Sequence, residues 1–154
     1  MTTSSSGLFG NFGQANYGAA KMALVGLMQT LGLEGAKYNI RVNCIAPAAG
    51  TRMLDGLMPH DMLTLLPPAA VSSGLLALVA DDAPTRVILC AGGGSYEQAH
   101  VTLTRGVYLG ADNSGERVSE NWDAIGDRAG EIVPDSGSAQ IQTEMDKFKS
   151  ASAT

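Results

Sequence analysis

Tyr17 and Lys21 are the side chains whose types and spacing first suggest chemistry. They lie four residues apart, so on a helix both leave from one face. A phenol is a weak acid with an ordinary pKa near ~10, and a cation beside it favours the phenolate. A tyrosine held this way can give or take a proton near neutral pH. The spacing alone is uninformative, because surface Tyr/Lys pairs at this interval are common on helices. The neighbours carry the signal: Ser4 stands thirteen residues before Tyr17, Asn16 directly before it, and Ala19-Ala20 between Tyr17 and Lys21.

Positioning these side chains requires a helix and the ends of strands. Ala19, Ala20, Ala23, Leu24, Leu27, Met28, Leu31 and Gly35 recur at intervals of three and four, which predicts a helix from about Ala15 to Ala36. Its small residues Gly18, Ala19, Ala23 and Gly26 allow close approach of another backbone, as suits a helix covered by a sheet and by a partner subunit. Residues 1–7 read as the tail of a strand entering a loop, and 8–14 as a Gly-punctuated loop. Ile40–Ala46 alternates and is rich in β-branched residues, predicting a strand, followed by a turn over Pro47–Thr51. Residues 54–66 are ambiguous, with Pro59-His60-Asp61 able to open a short helix. Pro68–Asp81 predicts a helix with proline at an early position. Val87–Ala91 predicts a short buried strand closing in Gly92-Gly93-Gly94.

Helix, strand, helix, strand in that order is the signature of a parallel sheet in an open α/β fold. Ligands of such sheets bind beyond the carboxyl ends of the strands, so residues 4–14, 47–56 and 92–98 should converge on one site. From Tyr96 onward the pattern weakens: Val101–Leu103 and Val107–Leu109 read as short strands, and Ala139–Lys149 as a terminal helix.

Composition narrows the partners. Charged residues make up 16% of the 154, below the usual quarter, as if much of the surface is to be covered. A net charge of -5 with no Lys/Arg cluster argues against nucleic acid. Cys44 and Cys90 sit in apolar runs and read as buried reduced thiols. With His60 and His100 they form no metal-ligand spacing, so no metal is expected. No apolar run reads as approaching the ~20 residues of a membrane span, no basic n-region opens the chain, and no tripeptide peroxisomal address closes it. A cytoplasmic location is expected, with a peroxisomal one open if the source is eukaryotic.

Ser4, then Asn16-Tyr17-Gly18-Ala19-Ala20-Lys21, then Arg41-Val42-Asn43-Cys44-Ile45-Ala46-Pro47 resemble the second half of the short-chain dehydrogenase/reductase family, over roughly residues 1–95. Ser6–Lys21 and Asn43–Met53 are similar to its (3R)-hydroxyacyl-CoA dehydrogenase branch, found in peroxisomal multifunctional enzymes of type 2 and bacterial relatives. Met58-Pro59 and Asn121-Trp122 extend that similarity toward the tail. The resemblance implies the C-terminal half of a Rossmann-like doubly wound parallel sheet over residues 1–95, with 96–154 as a C-terminal extension packing on it. It implies that Tyr17 is the general acid/base, and that Lys21 lowers the tyrosine pKa and holds the nicotinamide ribose. Ser4 would donate to the substrate oxygen; the thirteen-residue offset selects it over Ser5 and Ser6. Pro47, Ala48, Gly50 and Thr51 would lie along the cofactor, NAD or NADP, with Pro47 fixing φ and Gly50 permitting close approach.

No strand, Gly-rich turn and helix for the cofactor pyrophosphate is found in the chain, nor the family's upstream active-site asparagine. The expectation is a fragment or truncated chain, poorly soluble or oligomeric when isolated. The reaction implied is interconversion of a secondary alcohol and a ketone, with a 3-hydroxyacyl-CoA/3-ketoacyl-CoA pair as substrate and a homo-oligomer as the assembly. Sugar, steroid or acyl-carrier-bound ketones stay open, as does a catalytically dead chain acting only as an interaction or dimerisation module. Residues 52–66 would form the substrate lid. Within it Arg52 reads as a surface ion-pair residue or as a contact for a CoA phosphate.

Overall fold

A computed structural model describes residues 1–54, 56, 58–111 and 114–152. It divides into two compact units, Met1–Ala99 and His100–Thr154.

The first unit is built on a sheet. Strand β1, Cys44–Ala48, and strand β2, Ile88–Gly92, pair in parallel, with Cys44 opposite Ile88 and Ala48 opposite Gly92. Thr2 bridges to Ile45 in the same direction. The Ile45 N–H donates to the Met1 carbonyl at 2.9 Å and the Thr3 N–H to the Ile45 carbonyl at 2.8 Å. Residues 1–3 are thus a strand end beside β1, as the sequence predicts. Strand β3, Ser95–Ala99, is antiparallel to β2. It corrects the loop expected over 92–98: Gly93 and Gly94, at φ +59° and +86°, make a tight hairpin turn whose twist matches that of the strands.

Helices cover both faces. α1, Ser5–Phe9, and α2, Ala15–Gly35, lie on one side, and α4, Pro68–Val79, on the other. Alternate strand residues go to opposite faces, so Cys44 and Ile88 join Val25 and Met28 of α2 in one buried cluster. Ile45 and Ala91 join Leu78 of α4 in the other. Strands apolar on both faces are what a parallel sheet between helices requires. This is the expected α/β fold, with an antiparallel edge added.

The structure departs from the sequence reading in several places. α1 lies inside the predicted loop, because Ser4 caps a short helix there. β1 starts at Cys44 instead of Ile40: Val42 pairs only with Thr85 and with Arg86, which itself sits at φ +63°. β1 also runs through Pro47 and Ala48, predicted as turn. Pro47 lacks the N–H that would continue the ladder toward Thr3, and residues 4–9 leave the sheet at that level, so no pairing is lost. The window His60–Val79 is apolar and long enough by composition to cross a membrane, with mean hydropathy 1.8, contrary to the expectation above. Here it is broken by Pro67-Pro68 into α3, His60–Thr64, and α4, and Gly74 and Leu78 of α4 are buried.

The second unit holds α5, Gly115–Ser119, α6, Trp122–Gly126, and α7, Ser138–Ser152. The strands predicted at 101–103 and 107–109 reduce to one antiparallel bridge, Leu103 with Ile132. Tyr108 instead meets Phe148 edge-on, ring centroids 6.3 Å apart.

Candidate active site

Ser4 ends the strand segment and begins α1. Its Oγ accepts the Ser6 N–H at 3.2 Å, and its carbonyl accepts the Gly7 and Leu8 N–H groups. Capping uses an acceptor lone pair of the hydroxyl and leaves its proton free to donate. Ser5 and Ser6 are helical.

Tyr17 lies in the first turn of α2 and is 42% exposed. Its backbone N–H is taken by Asn16 Oδ1 at 2.8 Å, while its hydroxyl makes no hydrogen bond among the described residues. Lys21 follows one turn later. Its Nζ donates to the Thr2 carbonyl at 3.0 Å and lies 5.7 Å from the Tyr17 ring centroid, within cation–π reach. One of its three donors is thereby used.

Two residues that the sequence reading missed hold this geometry. Thr3 is buried, and its Oγ1 donates to the Lys21 carbonyl at 2.7 Å. Gly7 lets α1 lie against α2: a Cβ there would stand 2.8 Å from Lys21 Cβ and 3.0 Å from the Met22 nitrogen. Both sit in a Thr/Ser/Gly-rich run whose only sequence signal is small size.

Pro47 and Ala48 finish β1 beside this strand end, and Gly50 and Thr51 follow. The Gly50 N–H donates to the Leu66 carbonyl at 2.7 Å, and a Cβ on Gly50 would collide with the Leu63 carbonyl oxygen. The glycine is therefore required by α3 of the same chain. Gly93 closes from the β2 end onto the Leu65 carbonyl, at 3.0 Å from a Cβ built there. So residues 4–21 form one cluster, and the ends of β1 and β2 form another around the α3–α4 turn. The clusters sit at the carboxyl ends of adjacent strands, and no hydrogen bond among the described residues joins them. Of the expected lid, residues 55 and 57 lie outside the described residues.

An open cavity of about 400 Å³ lies between Thr51-Arg52 and the α3–α4 turn, with His60 and Leu63 in its wall. A smaller one, about 170 Å³, lies near the other end of β1, beside Met1, Asn43 and Leu78. Asn43 is buried there and fully bonded: Nδ2 donates to the Leu78 carbonyl at 3.2 Å and the Pro84 carbonyl at 2.8 Å, and Oδ1 accepts the Val87 N–H at 2.9 Å. Cys44 is buried and Cys90 half-buried, both free. Burial pushes both thiols above their ordinary value, the Glu97 carboxylate adding to it at Cys90, so neither is an activated nucleophile.

Residues 1–59 match the family model described as short chain dehydrogenase. A short-chain type dehydrogenase/reductase of Mycobacterium tuberculosis is 42% identical over 131 residues, covering 84% of this chain and 46% of that protein. Peroxisomal multifunctional enzyme type 2 of Mus musculus is 40% identical over 131 residues, 82% of this chain and 18% of that protein. The solved structure of full-length peroxisomal multifunctional enzyme type 2 from Drosophila melanogaster matches with a TM-score of 0.83 at 27% identity, over 97% of this chain and 28% of that one. The chain spans less than half the length of each of these proteins.

Proposed function

We propose that this chain, which resembles the short-chain dehydrogenases/reductases in sequence over residues 1–59 and in fold over nearly its whole length, supplies the catalytic residues of an oxidoreductase interconverting a secondary alcohol and a ketone. The observation that carries the reading is the Tyr17–Lys21 pair, with its ammonium beside the ring and Ser4 at the adjoining strand end. In the oxidation direction the substrate hydroxyl gives its proton to the Tyr17 phenolate oxygen. Lys21 stabilises the negative charge on that oxygen, and the Ser4 hydroxyl donates to the substrate oxygen as its charge changes. NAD or NADP, when bound, supplies the hydride acceptor or donor.

The donor set fits such a cofactor at one end. Lys21 has two uncommitted N–H groups, suited to the hydroxyls of a ribose. Pro47 and Ala48 end β1, and Gly50 and Thr51 follow it, all with exposed or half-buried surface. The N–H of Gly50 is taken by Leu66 in the turn after α3 and one α-carbon face by Leu63 of α3, so only its carbonyl side is left to meet a ligand. Sequence similarity of Ser6–Lys21 and Asn43–Met53 to the hydroxyacyl-CoA dehydrogenase branch favours a 3-hydroxyacyl-CoA/3-ketoacyl-CoA pair as substrate.

The test joins this chain to the upstream half of a matched relative and follows absorbance of the reduced nicotinamide with a 3-hydroxyacyl-CoA. Tyr17→Phe should lower kcat by about 10²–10⁴-fold. No turnover by the parent, or equal turnover by the variant, defeats the proposal. A second reading, association with another subunit, is favoured by the exposed small residues Ala19, Ala20, Ala23 and Gly26 along α2 and the exposed Leu75, Leu76 and Val79 of α4. The two readings are compatible in a homo-oligomeric enzyme.

A further inference from the structure

We infer that the cavity beside Thr51 is a phosphoanion subsite, in which Arg52 and His60 hold a phosphate group of the substrate or of the cofactor; this deepens, and rests on, the oxidoreductase reading above. Three observations point there. Among the described residues the cavity wall carries two cationic or cation-capable side chains, Arg52 and His60, and no carboxylate. That is a local reversal in a chain with fifteen acidic and ten basic residues.

The donors are also unspent. Arg52 makes no ion pair or hydrogen bond among the described residues, so the surface ion pair, one of its two sequence-level readings, does not form there. His60 and the Thr51 hydroxyl are likewise without a hydrogen-bond partner among them. The Thr64 hydroxyl is committed to the Asp61 carbonyl and adds no donor. A guanidinium presents its N–H groups in a fork that matches a phosphate in two places at once.

Size and place set the ligand class. At about 400 Å³ the cavity is at the low end of small-molecule sites, ~300–1,000 Å³. It is large enough for a phosphorylated head group and too small to enclose a whole acyl-CoA or dinucleotide. It opens at Thr51, directly after the strand end proposed to meet the cofactor. Its wall is fixed by the Gly50–Leu66 hydrogen bond and the Gly50–Leu63 contact, so the donors stand on a built frame. The shared ligand chemistry is a phosphate ester or anhydride, carried by both a CoA thioester and a nicotinamide dinucleotide.

Equilibrium dialysis of the full chain tests this with three probes: adenosine 3′,5′-bisphosphate for the CoA head, NAD for the cofactor, and pantetheine as the arm without phosphate. The double variant Arg52→Gln/His60→Gln should bind one phosphorylated probe about 10- to 100-fold more weakly, and pantetheine unchanged. Loss confined to the bisphosphate assigns the site to the substrate, and loss confined to NAD assigns it to the cofactor. Arg52→Lys, which keeps the charge without the fork, should recover part of the affinity at unchanged far-UV circular dichroism. Dialysis reads binding without turnover, so failure of the hydride-transfer reading would leave this result standing. Failure of the parent to bind either phosphorylated probe, or equal binding by parent and double variant, overturns the subsite.

Discussion

Asn43 offers the sharpest test of how the first unit is held together. One amide ties three segments: the end of α4 through the Leu78 carbonyl, the following loop through the Pro84 carbonyl, and the start of β2 through the Val87 N–H. Asn43→Ala removes all three hydrogen bonds. At roughly 1 kcal/mol net per bond the loss is about 3 kcal/mol, and it would reach twice that if all three groups stayed dry and unpaired. The cavity of about 170 Å³ that Asn43 lines is large enough for water, which holds the expected value near the lower figure. With a urea m-value of about 2 kcal/mol/M the midpoint should fall by about 1.5 M at unchanged m. Far-UV circular dichroism is the appropriate signal, because the single tryptophan, Trp122, lies in the other unit. Asn43→Asp is the control for shape. It keeps an acceptor for Val87 but turns carboxylate oxygens toward two carbonyls, so its folded pKa should rise above the unfolded ~3.9. A group so shifted costs stability as pH rises through its folded value and costs little below the unfolded one. Asn43→Asp should therefore match or exceed the Ala loss at pH 7 and recover on acidification. A change below ~0.5 kcal/mol for Ala, or wild-type behaviour of Asp at pH 7, would refute the reasoning.

Gly26→Ala meets nothing within 4 Å and sits inside an exposed stretch of helix, so it should raise monomer stability by roughly 0.5–1 kcal/mol. If a second subunit packs on that face, sedimentation should show weaker association in the same variant, and unchanged association removes α2 from the interface. Cys44 and Cys90, both raised by burial, should resist iodoacetamide through the ordinary thiol range and react after unfolding. Stability should hold below that range and fall as pH climbs through the raised values, whereas fast labelling at pH 7 would contradict the burial.

Much of this architecture is legible from periodicity. α2 and α4 are long enough to repeat their apolar spacing several times, and their starts at Ala15 and Pro68 agree with the sequence reading. β2 is short but apolar and closes in a run of glycines. β3 is hidden for the opposite reason: Ser95-Tyr96-Glu97-Gln98-Ala99 has no apolar alternation because four of its five residues are exposed at an edge. What makes it a strand is its hydrogen bonding to β2, which only the Gly93-Gly94 turn announces. α1 is five residues, less than two turns, and is nucleated by one serine side chain. In the second unit α7, Ser138–Ser152, contains the terminal helix expected over Ala139–Lys149, while the order before it rests on single contacts, such as the Thr104 hydroxyl on the Ile125 carbonyl at 2.8 Å, which leave no period to read.

The candidate catalytic residues divide along the same line. Residue types and spacing pick out Ser4, Tyr17 and Lys21, but spacing sets only which helix face the pair occupies. Their working geometry is tertiary. Met1 O and Thr3 N face β1, and successive peptide groups alternate in direction along a strand. The Thr2 carbonyl therefore points to the side away from β1, where Lys21 Nζ meets it. Thr3, bonded through its side chain to the Lys21 carbonyl, fixes the helix against the same segment, and Gly7 sets how close they come. A strand arriving on that side would offer Thr2 an N–H and release the ammonium, giving Lys21 its third donor. The number of donors the lysine can offer a ligand is thus set by how the sheet edge beside it is filled, and not by its distance from Tyr17 along the helix.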